Sequence, residues 1–350
     1  MEFGLQFFPA VAPAQKSGAQ YWREALSLTQ RAERLGFTSV RTVEHYFHYY
    51  GGYSPSPLIF LSAAAALTTT MRMITGAVLP VFNHPLKLAS EIAMADSISD
   101  GRLEVGFARA FLPQEFQRFG VSMDESRSRF DEGVAQILEL LEHENVTSNG
   151  QHHAYQNVTI FPRPVQTPHP PVWIAAMSTP ESFESAGRLG YSMMVIPLAG
   201  PQMAPLLEIY RKAWTDSGRP GCGRIMFAFH MFCDHDREKA RALAIPHLDR
   251  YLRSIVEAAS DWTSGISSKD YPNYGRIIDG LAKETAASQI EKGGAWIGTP
   301  DDIVAAARKY RAEAGHFDIA SLQVNFGNIA ITDAEKSMDL FASHVMPQLV

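Results

Sequence analysis

The feature that most restricts the fold of this chain is a repeated alternation of short apolar segments with longer amphipathic ones. Eight apolar, β-branched segments predict strands, at 2–8, 38–44, 71–79, 102–109, 172–176, 192–196, 225–233 and 319–324. Helical patterns separate or follow them, at 21–35, 57–70, 85–98, 124–143, 181–189, 201–217, 237–252, 301–314 and 333–344. Repeated strand–helix units favour a closed parallel barrel over an open sheet. We therefore predict an α/β fold, a single (β/α)8 TIM barrel forming one domain over residues 1–350.

Two segments interrupt the alternation and are predicted to be insertions. Residues 147–171 contain an Asn149-Gly150 turn followed by several prolines, which predicts a small surface hairpin and an extended connector. Residues 253–295 hold Gly, Ser, Asp and Tyr between weak helical patterns, which predicts a long irregular loop. Such a segment before the last barrel unit is more often a lid or substrate loop than a disordered excursion.

Composition and charge exclude several classes of protein. The chain is 46% hydrophobic and 19% charged, as in an ordinary globular protein with a sizeable core. Its net charge of −6, with scattered basic residues, argues against nucleic-acid binding. The start of the chain lacks a signal-peptide pattern, and the longest apolar stretch, 58–67, is far shorter than the roughly 20 residues that span a bilayer. We expect a cytoplasmic protein without membrane association.

An acid and an imidazole stand where the second predicted strand ends, within V-R-T-V-E-H-Y-F-H-Y-Y-G-G-Y at residues 40–53. TIM barrels present catalytic side chains at the carboxyl ends of their strands. Glu44 and His45 are therefore candidate catalytic residues, and His45 suits proton transfer near neutral pH. Taken alone, these two residues fit equally well a core histidine with a carboxylate partner.

Three further strand ends carry residues that suit a ligand. Gly76 and Ala108 leave room for a flat ring, and Arg109 suits a phosphate or carboxylate. Ser178 and Ser182 stand around the start of a predicted helix, where backbone N–H groups favour anions, although either serine could be a simple cap. Together these residues predict a site for a flat, phosphorylated cofactor.

The chain resembles the bacterial luciferase-like, flavin-dependent monooxygenases over nearly its whole length. The resemblance rests on the order and spacing of five segments: E-H-Y-F at 44–47, D-S-I-S-D-G-R-L-E-V-G-F-A-R at 96–109, F-P-R-P-V-Q-T-P-H-P-P-V-W at 161–173, I-G-T-P at 297–300 and S-M-D-L-F-A-S-H-V-M-P at 337–347.

The resemblance implies a TIM barrel with an FMN site, in which His45 matches the histidine implicated in catalysis. The flavin-facing positions would be Phe7, Glu44, Gly76, Ala108, Ala175 and Ala176. The phosphate contacts would be Arg109, Arg127, Ser178 and Ser182. Relatives carry a non-prolyl cis peptide that would fall at Thr75–Gly76. Two departures stand out, because Ala108 and Met177 replace a reactive cysteine and a glutamate of the luciferase catalytic subunit, which puts light emission in doubt.

The activity that the resemblance implies is oxygenation by reduced flavin. FMNH2 would react with O2 to a flavin C4a-(hydro)peroxide, which would oxygenate a small apolar or aromatic substrate. No G-x-G-x-x-G opens a βα unit, so a separate flavin reductase would supply the FMNH2. Helices of the second and third barrel units would form a homodimer, as in many relatives.

Three alternatives remain open at this point. A deazaflavin F420-dependent oxidoreductase has the same fold, although such relatives tend to carry S-D-H where this chain has V-E-H at 43–45. A non-catalytic partner subunit would not need His45, Arg109 and Ser178 together. A metal-dependent hydrolase would need more ligands than Glu44 and His45. His230 and Cys233 lie on opposite faces of a strand, so we predict no metal site.

Overall fold

Parallel strands close into a barrel in the computed structural model, which describes residues 1–349. In chain order the strands are β1 (Glu2–Phe7), β2 (Ser39–Thr42), β3 (Arg72–Thr75), β4 (Leu103–Phe107), β5 (Val146–Asn149), β6 (Ala154–Val158), β7 (Val172–Ala176), β8 (Ser192–Val195), β9 (Ile225–Cys233), β10 (Ala295–Gly298) and β11 (Ile319–Gln323). The barrel order is β1-β2-β3-β4-β7-β8-β9-β11, and β11 pairs with β1 to close the ring. Every pairing around the ring is parallel. The predicted (β/α)8 barrel is confirmed.

Helices cover the outside of the barrel and fill its connections. They are α1 (Gly18–Arg34), α2 (Pro57–Ala66), α3 (Pro85–Ile98), α4 (Pro113–Phe119), α5 (Ser126–Glu142), α6 (Pro180–Leu189), α7 (Gly200–Asp216), α8 (Arg237–Ala258), α9 (Tyr274–Leu281), α10 (Ala286–Glu291), α11 (Pro300–Ala314), α12 (Ile331–His344) and α13 (Met346–Leu349). Several begin at proline, whose fixed φ suits the first helical turn and whose missing N–H costs nothing there.

The barrel has two apolar layers, because successive residues of each strand point to opposite sides. On the outer side Phe7 packs edge-on against Phe60 of α2, with ring centroids 5.6 Å apart. On the inner side a cluster that includes Trp173, Met226 and Ile319 fills the barrel. This inner packing closes the barrel below, so ligand space remains at the carboxyl ends of the strands.

The first insertion agrees with the sequence. β5 and β6 pair antiparallel, as predicted for a small hairpin within 147–171. The proline-rich connector that follows is held by Asp96, whose Oδ2 accepts hydrogen bonds from the backbone N–H groups of Val165 at 2.7 Å and Gln166 at 3.0 Å. The connector is therefore fastened to α3.

The second insertion is more regular than the sequence predicted. α8 continues to Ala258, six residues beyond the predicted helix end at 252, and 253–295 also contains a 3-10 helix (Ser260–Thr263), α9 and α10. The strand β10 was missed as well, because its short apolar run stands between Gly293-Gly294 and Gly298, which are typical of a loop. It pairs only with the end of β9, at residues 230–233. Within residues 1–349 no helix is both long and apolar enough to cross a membrane.

Candidate functional site

A cavity of about 630 Å³ opens at the carboxyl ends of the barrel strands. This volume lies within the range of small-molecule sites, ~300–1,000 Å³. Its wall is formed by residues that end or follow β1, β2, β3, β4, β7, β8, β9 and β11, and by the 253–295 insertion. The position is the one at which TIM barrels carry their active sites.

His45 is held in the cavity wall by a buried carboxylate. Its Nδ1 lies 3.1 Å from Oε1 of Glu115, a residue of α4 with no exposed surface. The same Oε1 accepts a hydrogen bond from the backbone N–H of Tyr46 at 2.8 Å. Because a carboxylate only accepts, Nδ1 carries the proton, and Nε2 of a neutral His45 is the acceptor nitrogen. Within residues 1–349 Nε2 makes no hydrogen bond, so it is available to a ligand.

Gly51 fixes the imidazole from the other side. It has φ of +79°, and a Cβ built there would lie 2.7 Å from Cδ2 of His45 and 2.8 Å from its Cβ. The glycine therefore permits both the left-handed turn and the close approach of the loop to the ring. The Gly-Gly pair after the aromatic segment thus has a positional role.

Glu44 is a buried acid with three hydrogen-bond donors around it. Its Oε1 accepts from the hydroxyl of Tyr46 at 2.5 Å and from Nδ2 of Asn83 at 3.0 Å, and its Oε2 accepts from the backbone N–H of Leu79 at 3.0 Å. Burial, with a smaller effect from the nearby charge of Glu115, raises the pKa of Glu44 to about 7 against these donors. The side chain can therefore change its protonation state close to neutral pH.

Small residues form the wall made by β3, β4 and β7. Gly76, Ala108, Ala175 and Ala176 all line the cavity there. The non-prolyl cis peptide lies at Gly76–Ala77, one bond beyond the predicted Thr75–Gly76. Small side chains on one wall leave a flat surface on which a planar ring can lie.

Two arginines without carboxylate partners lie at one end of the cavity. In the described part of the chain neither the Arg109 nor the Arg127 guanidinium group has a carboxylate oxygen within 4.0 Å, although the backbone N–H of Arg127 donates to Oδ2 of Asp270 at 2.9 Å. Nη1 of Arg109 makes only long contacts, 3.5 Å to Oγ of Ser126 and 3.4 Å to the backbone oxygen of Asp270. The pKa of the neighbouring Asp131 is raised, because the effect of burial outweighs the opposite effect of the two arginine cations. The positive charge of this end is available to an anionic ligand.

The start of α6 faces the same end of the cavity. Thr179, the N-cap of this ten-residue helix, makes no side-chain cap hydrogen bond, and Ser182 lies in the first turn. Both residues line the cavity. The exposed N–H groups and partial positive charge of a helix start favour anions. With the guanidinium groups of Arg109 and Arg127, the start of α6 gives the cavity donors of the kind that suit a phosphate group.

The 253–295 insertion covers the anionic end. The hydroxyl of Tyr271 donates to the backbone oxygen of Ala110 at 2.7 Å, and the guanidinium of Arg109 lies 4.9 Å above the Tyr271 ring. Nε1 of Trp262 donates to the backbone oxygen of Phe111 at 2.8 Å. These contacts fix the insertion onto the loop after β4, and Tyr271 itself lines the cavity.

The structure brings together most, but not all, of the residues that the sequence singled out. The following line the cavity: Glu44, His45, Gly76, Ala108, Arg109, Arg127, Ala175, Ala176 and Ser182. Phe7 does not, because strand alternation turns it to the helices, and its neighbours Gln6 and Phe8 face the cavity instead. Ser178 does not line it either; Thr179 takes that place.

Sequence reasoning missed Glu115, Arg41 and Tyr251. Glu115 lies on the seven-residue α4, which was not predicted, and it meets His45 across 70 positions of the chain. Arg41 was treated only as part of a strand. Among residues 1–349 no group of three or more His, Cys, Asp or Glu side chains could hold a metal ion.

The barrel and its cavity define an α/β-barrel ligand site, with the His45–Glu115 pair in its wall and the guanidinium groups of Arg109 and Arg127 at one end. A sequence profile of the family described as Luciferase-like monooxygenase matches residues 1–316. The chain therefore belongs to the luciferase-like monooxygenases, a family of flavin-dependent enzymes.

Two close relatives and one distant structure illustrate the match. The crystal structure of monooxygenase RslO1 from Streptomyces bottropensis is 41% identical, with a TM-score of 0.89 and full coverage of both chains. The oxygenase component of the flavin-dependent trigonelline monooxygenase of Acinetobacter baylyi is 32% identical over 251 residues, 70% of this chain and 68% of the relative. The oxygenating constituent of 3,6-diketocamphane monooxygenase of Pseudomonas putida, in complex with FMN, has 19% identity, a TM-score of 0.82 and coverage of 99% and 98%. At 19% identity the last comparison supports only the fold.

Proposed function

We propose that this protein is the oxygenase component of a two-component monooxygenase, which takes FMNH2 from a separate reductase and uses O2 to oxygenate a small apolar or aromatic substrate. The observation that carries the proposal is the pairing of a small-residue wall with an arginine-lined end in one cavity. A flat ring and a phosphate group need these two surfaces at once. Membership of this family implies that the flat, phosphorylated ligand is a flavin. The trigonelline relative is itself an oxygenase component.

The fit of FMN rests on the donors that the cavity offers. Arg109, Arg127, Thr179 and Ser182 would hold the phosphate, since both guanidinium groups lack carboxylate partners in residues 1–349 and α6 begins there. Gly76, Ala108, Ala175 and Ala176 would lie against the ring. When bound in its reduced form, FMN supplies the two electrons for the reduction of O2.

The remaining roles belong to side chains of this chain. His45 would move a proton through Nε2, the nitrogen that Glu115 leaves free by bonding Nδ1. Glu44, with its pKa near 7, would hold or release a proton beside it. Trp262 and Tyr271 hold the insertion over the cavity, which would keep water from the reaction.

A homodimer through α2 and α3 would complete the assembly. Ile59 on α2 and Met94 on α3 are apolar and exposed, at 74% and 56% of their surface. Exposed apolar side chains on adjacent helices suit burial against a second copy. Sedimentation measurements test this part of the proposal independently of activity.

The experiment that tests the function is rapid mixing under controlled oxygen. The protein, loaded anaerobically with FMNH2, is mixed with oxygenated buffer, and the absorbance of oxidised flavin is followed. We expect oxidised flavin to appear with a clear delay relative to free FMNH2, because the cavity excludes water from the reaction. Oxidation at the rate of free flavin would contradict the proposal, and the same mixing with reduced F420 would then test the deazaflavin alternative.

A further inference from the structure

Arg41 is a buried cation that no carboxylate neutralises. Its side chain enters the barrel from β2, and the residue is only 7% exposed. Its Nε donates to Oγ of Ser321 at 3.0 Å, Nη2 donates to Oε1 of Gln6, and Nη1 makes a weak 3.6 Å contact with Sδ of Met194. All three partners are neutral. Within residues 1–349 no carboxylate oxygen lies within 4.0 Å of the guanidinium.

The charge of Arg41 persists at neutral pH. Burial lowers its pKa to about 10, and the phenol of Tyr251 opposes this shift. Glu44, the acid nearest along the chain, is engaged with Tyr46, Leu79 and Asn83 instead. Burying an unpaired charge is costly, and such groups in proteins are normally paired. Two of the five guanidinium N–H groups have no acceptor among the contacts of this side chain.

Arg41 belongs to a band of polar side chains that crosses four neighbouring strands. Strand register places Arg41 beside Gln6, Gln6 beside Gln323, and Gln323 beside His230. All four side chains line the cavity. We call Gln6, Arg41, His230 and Gln323 the polar band. It runs along β2, β1, β11 and β9. At its β2 end the side chain of Arg41 lies against Gly76, since a Cβ built at Gly76 would be 3.0 Å from Cδ and 3.1 Å from Nη1 of Arg41.

Two further atoms of the polar band lack partners. Oε1 of Gln323 and Nε2 of His230 are buried and make no hydrogen bond within the described residues. Burial lowers the pKa of His230 to about 3, so its imidazole is neutral and has one N–H donor and one acceptor nitrogen. Buried polar groups are rarely left unsatisfied in folded proteins. A ligand that bears oxygen atoms would satisfy these groups and Arg41 together.

The surfaces beside the polar band are apolar. Phe8, Val43 and Ile255 line the same part of the cavity. Tyr251 packs edge-on against His230, with ring centroids 4.6 Å apart. A ligand here would therefore combine an ionised oxygen with an apolar body.

We propose that the polar band is the substrate subsite of the cavity, and that it selects an apolar, planar weak acid whose carboxylate or phenolate oxygen binds Arg41. This inference rests on the proposed function, because it assigns the small-residue wall of β3, β4 and β7, which begins beside Arg41 at Gly76, to the flavin. Gln323 and His230 bind a further hydroxyl or carbonyl oxygen of the same molecule. The subsite lies apart from the phosphate-type subsite at Arg109, since β2 and β4 are separated by β3 in the barrel.

Equilibrium binding of three small probes tests the subsite. The probes are 2-naphthoate, 4-nitrophenolate and the neutral isostere 2-naphthamide, titrated into the protein with oxidised FMN present. We expect 2-naphthoate to bind about ten-fold or more tightly than 2-naphthamide, the range for a charge-assisted contact. 4-nitrophenolate separates a phenolate from a carboxylate preference, and tight binding of either anion supports the subsite. Equal binding of the acid and the amide, with no binding of 4-nitrophenolate, would overturn it.

The variants Arg41→Met and Arg41→Lys test whether the preference for the acid over the amide depends on Arg41. Arg41→Met should abolish it, and Arg41→Lys should keep part of it, because lysine retains the charge but not the planar donor pair. Arg118→Met, at an arginine that stacks on Phe47 outside the cavity, is the control and should leave the preference intact. A preference that survives Arg41→Met, or that is lost equally in Arg118→Met, would overturn the proposal. So would an Arg41→Met variant in which FMN affinity alone falls.

The outcome is separable from that of the proposed function. Probe binding requires no oxygen chemistry, so an acid preference that depends on Arg41 would stand even if the rapid-mixing experiment failed. Conversely, delayed flavin oxidation with no acid preference would leave the monooxygenase proposal in place and remove the subsite. Because replacement of a buried charge by an apolar residue is often neutral for stability, we expect Arg41→Met to fold, and the comparison of wild-type affinities is decisive in any case.

Discussion

The imidazole of His45 and the carboxylate of Glu115 form a buried pair, with Nδ1 and Oε1 3.1 Å apart. Glu115 comes from α4, 70 positions further along the chain, and has no exposed surface. The pair turns Nε2 of His45 towards the cavity and keeps a negative charge behind the ring. An acid that accepts from Nδ1 orients the imidazole and selects the tautomer with its proton on that nitrogen.

Replacement of Glu115 by glutamine tests this positioning. Glu115→Gln keeps an oxygen that can accept from Nδ1 and from the Tyr46 N–H, but it removes the negative charge. We expect the neutral amide to hold the imidazole less firmly than the carboxylate does, so the ratio of product to O2 consumed should fall below that of the wild type. Product formation and O2 consumption under saturating substrate measure this ratio. An unchanged ratio would leave Glu115 a purely structural residue.

Removal of the imidazole should separate oxygen consumption from product formation. His45→Ala leaves the phosphate-type subsite and the small-residue wall intact, so FMNH2 should still bind. Without proton transfer through Nε2, we expect peroxide release to replace most oxygenated product. The ratio of product to O2 consumed measures this uncoupling. His143→Ala, at an exposed imidazole on the surface, is the control, and normal turnover by His45→Ala would exclude the assigned role.

Loss of Arg109 should weaken cofactor affinity. We expect Arg109→Ala to weaken FMNH2 binding by about 1.5–3 kcal/mol, the range for a hydrogen bond to a charged group. Fluorescence titration under anaerobic conditions gives the dissociation constants. Arg118→Ala removes an arginine of α4 that stacks on Phe47 outside the cavity, and it should leave the affinity unchanged. Equal constants for wild type and Arg109→Ala would remove this residue from the phosphate subsite.

The barrel was easier to predict from the sequence than the residues of the site. The strands of the ring were predicted because each is an apolar run followed by a helical pattern. By contrast, β10 stands among glycines within an irregular segment, and the seven residues of α4 are too few to show a helical period. Glu115 was missed with α4, since no local pattern couples it to His45. Phe7 was assigned to the cavity by resemblance, although alternation along β1 turns Gln6 and Phe8 inward and Phe7 outward.

The ionisation of Glu44 should make stability depend on pH. Burial raises its pKa to about 7 in the folded protein, above the 4.5 of a free side chain, so the folded state binds the proton more tightly. The contribution of Glu44 to the free energy of unfolding is therefore complete below about pH 4.5 and is lost as the pH rises through about 7. The free energy of unfolding changes by about 3 kcal/mol over this range. Urea unfolding of wild type and Glu44→Gln across this range measures the difference between them. A constant difference from pH 4.5 to 8 would contradict the raised pKa.

A methyl group at Gly51 should damage catalysis out of proportion to its effect on stability. Gly51 and Gly36 have similar left-handed backbones, with φ of +79° and +88°. Alanine in this conformation costs roughly 1–2 kcal/mol at either position. Only at Gly51 would the new Cβ meet the ring of His45, at 2.7 Å from Cδ2, whereas nothing lies within 4 Å of a Cβ at Gly36.

Both variants should lose stability in urea unfolding through the shared backbone strain, and Gly51→Ala should lose more, because its Cβ also clashes with His45. Gly51→Ala should also lower the ratio of product to O2 consumed, because the imidazole must move away from the position that Glu115 gives it. Gly36→Ala should keep the wild-type ratio. If the two variants consumed O2 with the same efficiency, the close packing of Gly51 on His45 would have no part in the reaction, and the loop after β2 would serve only the fold.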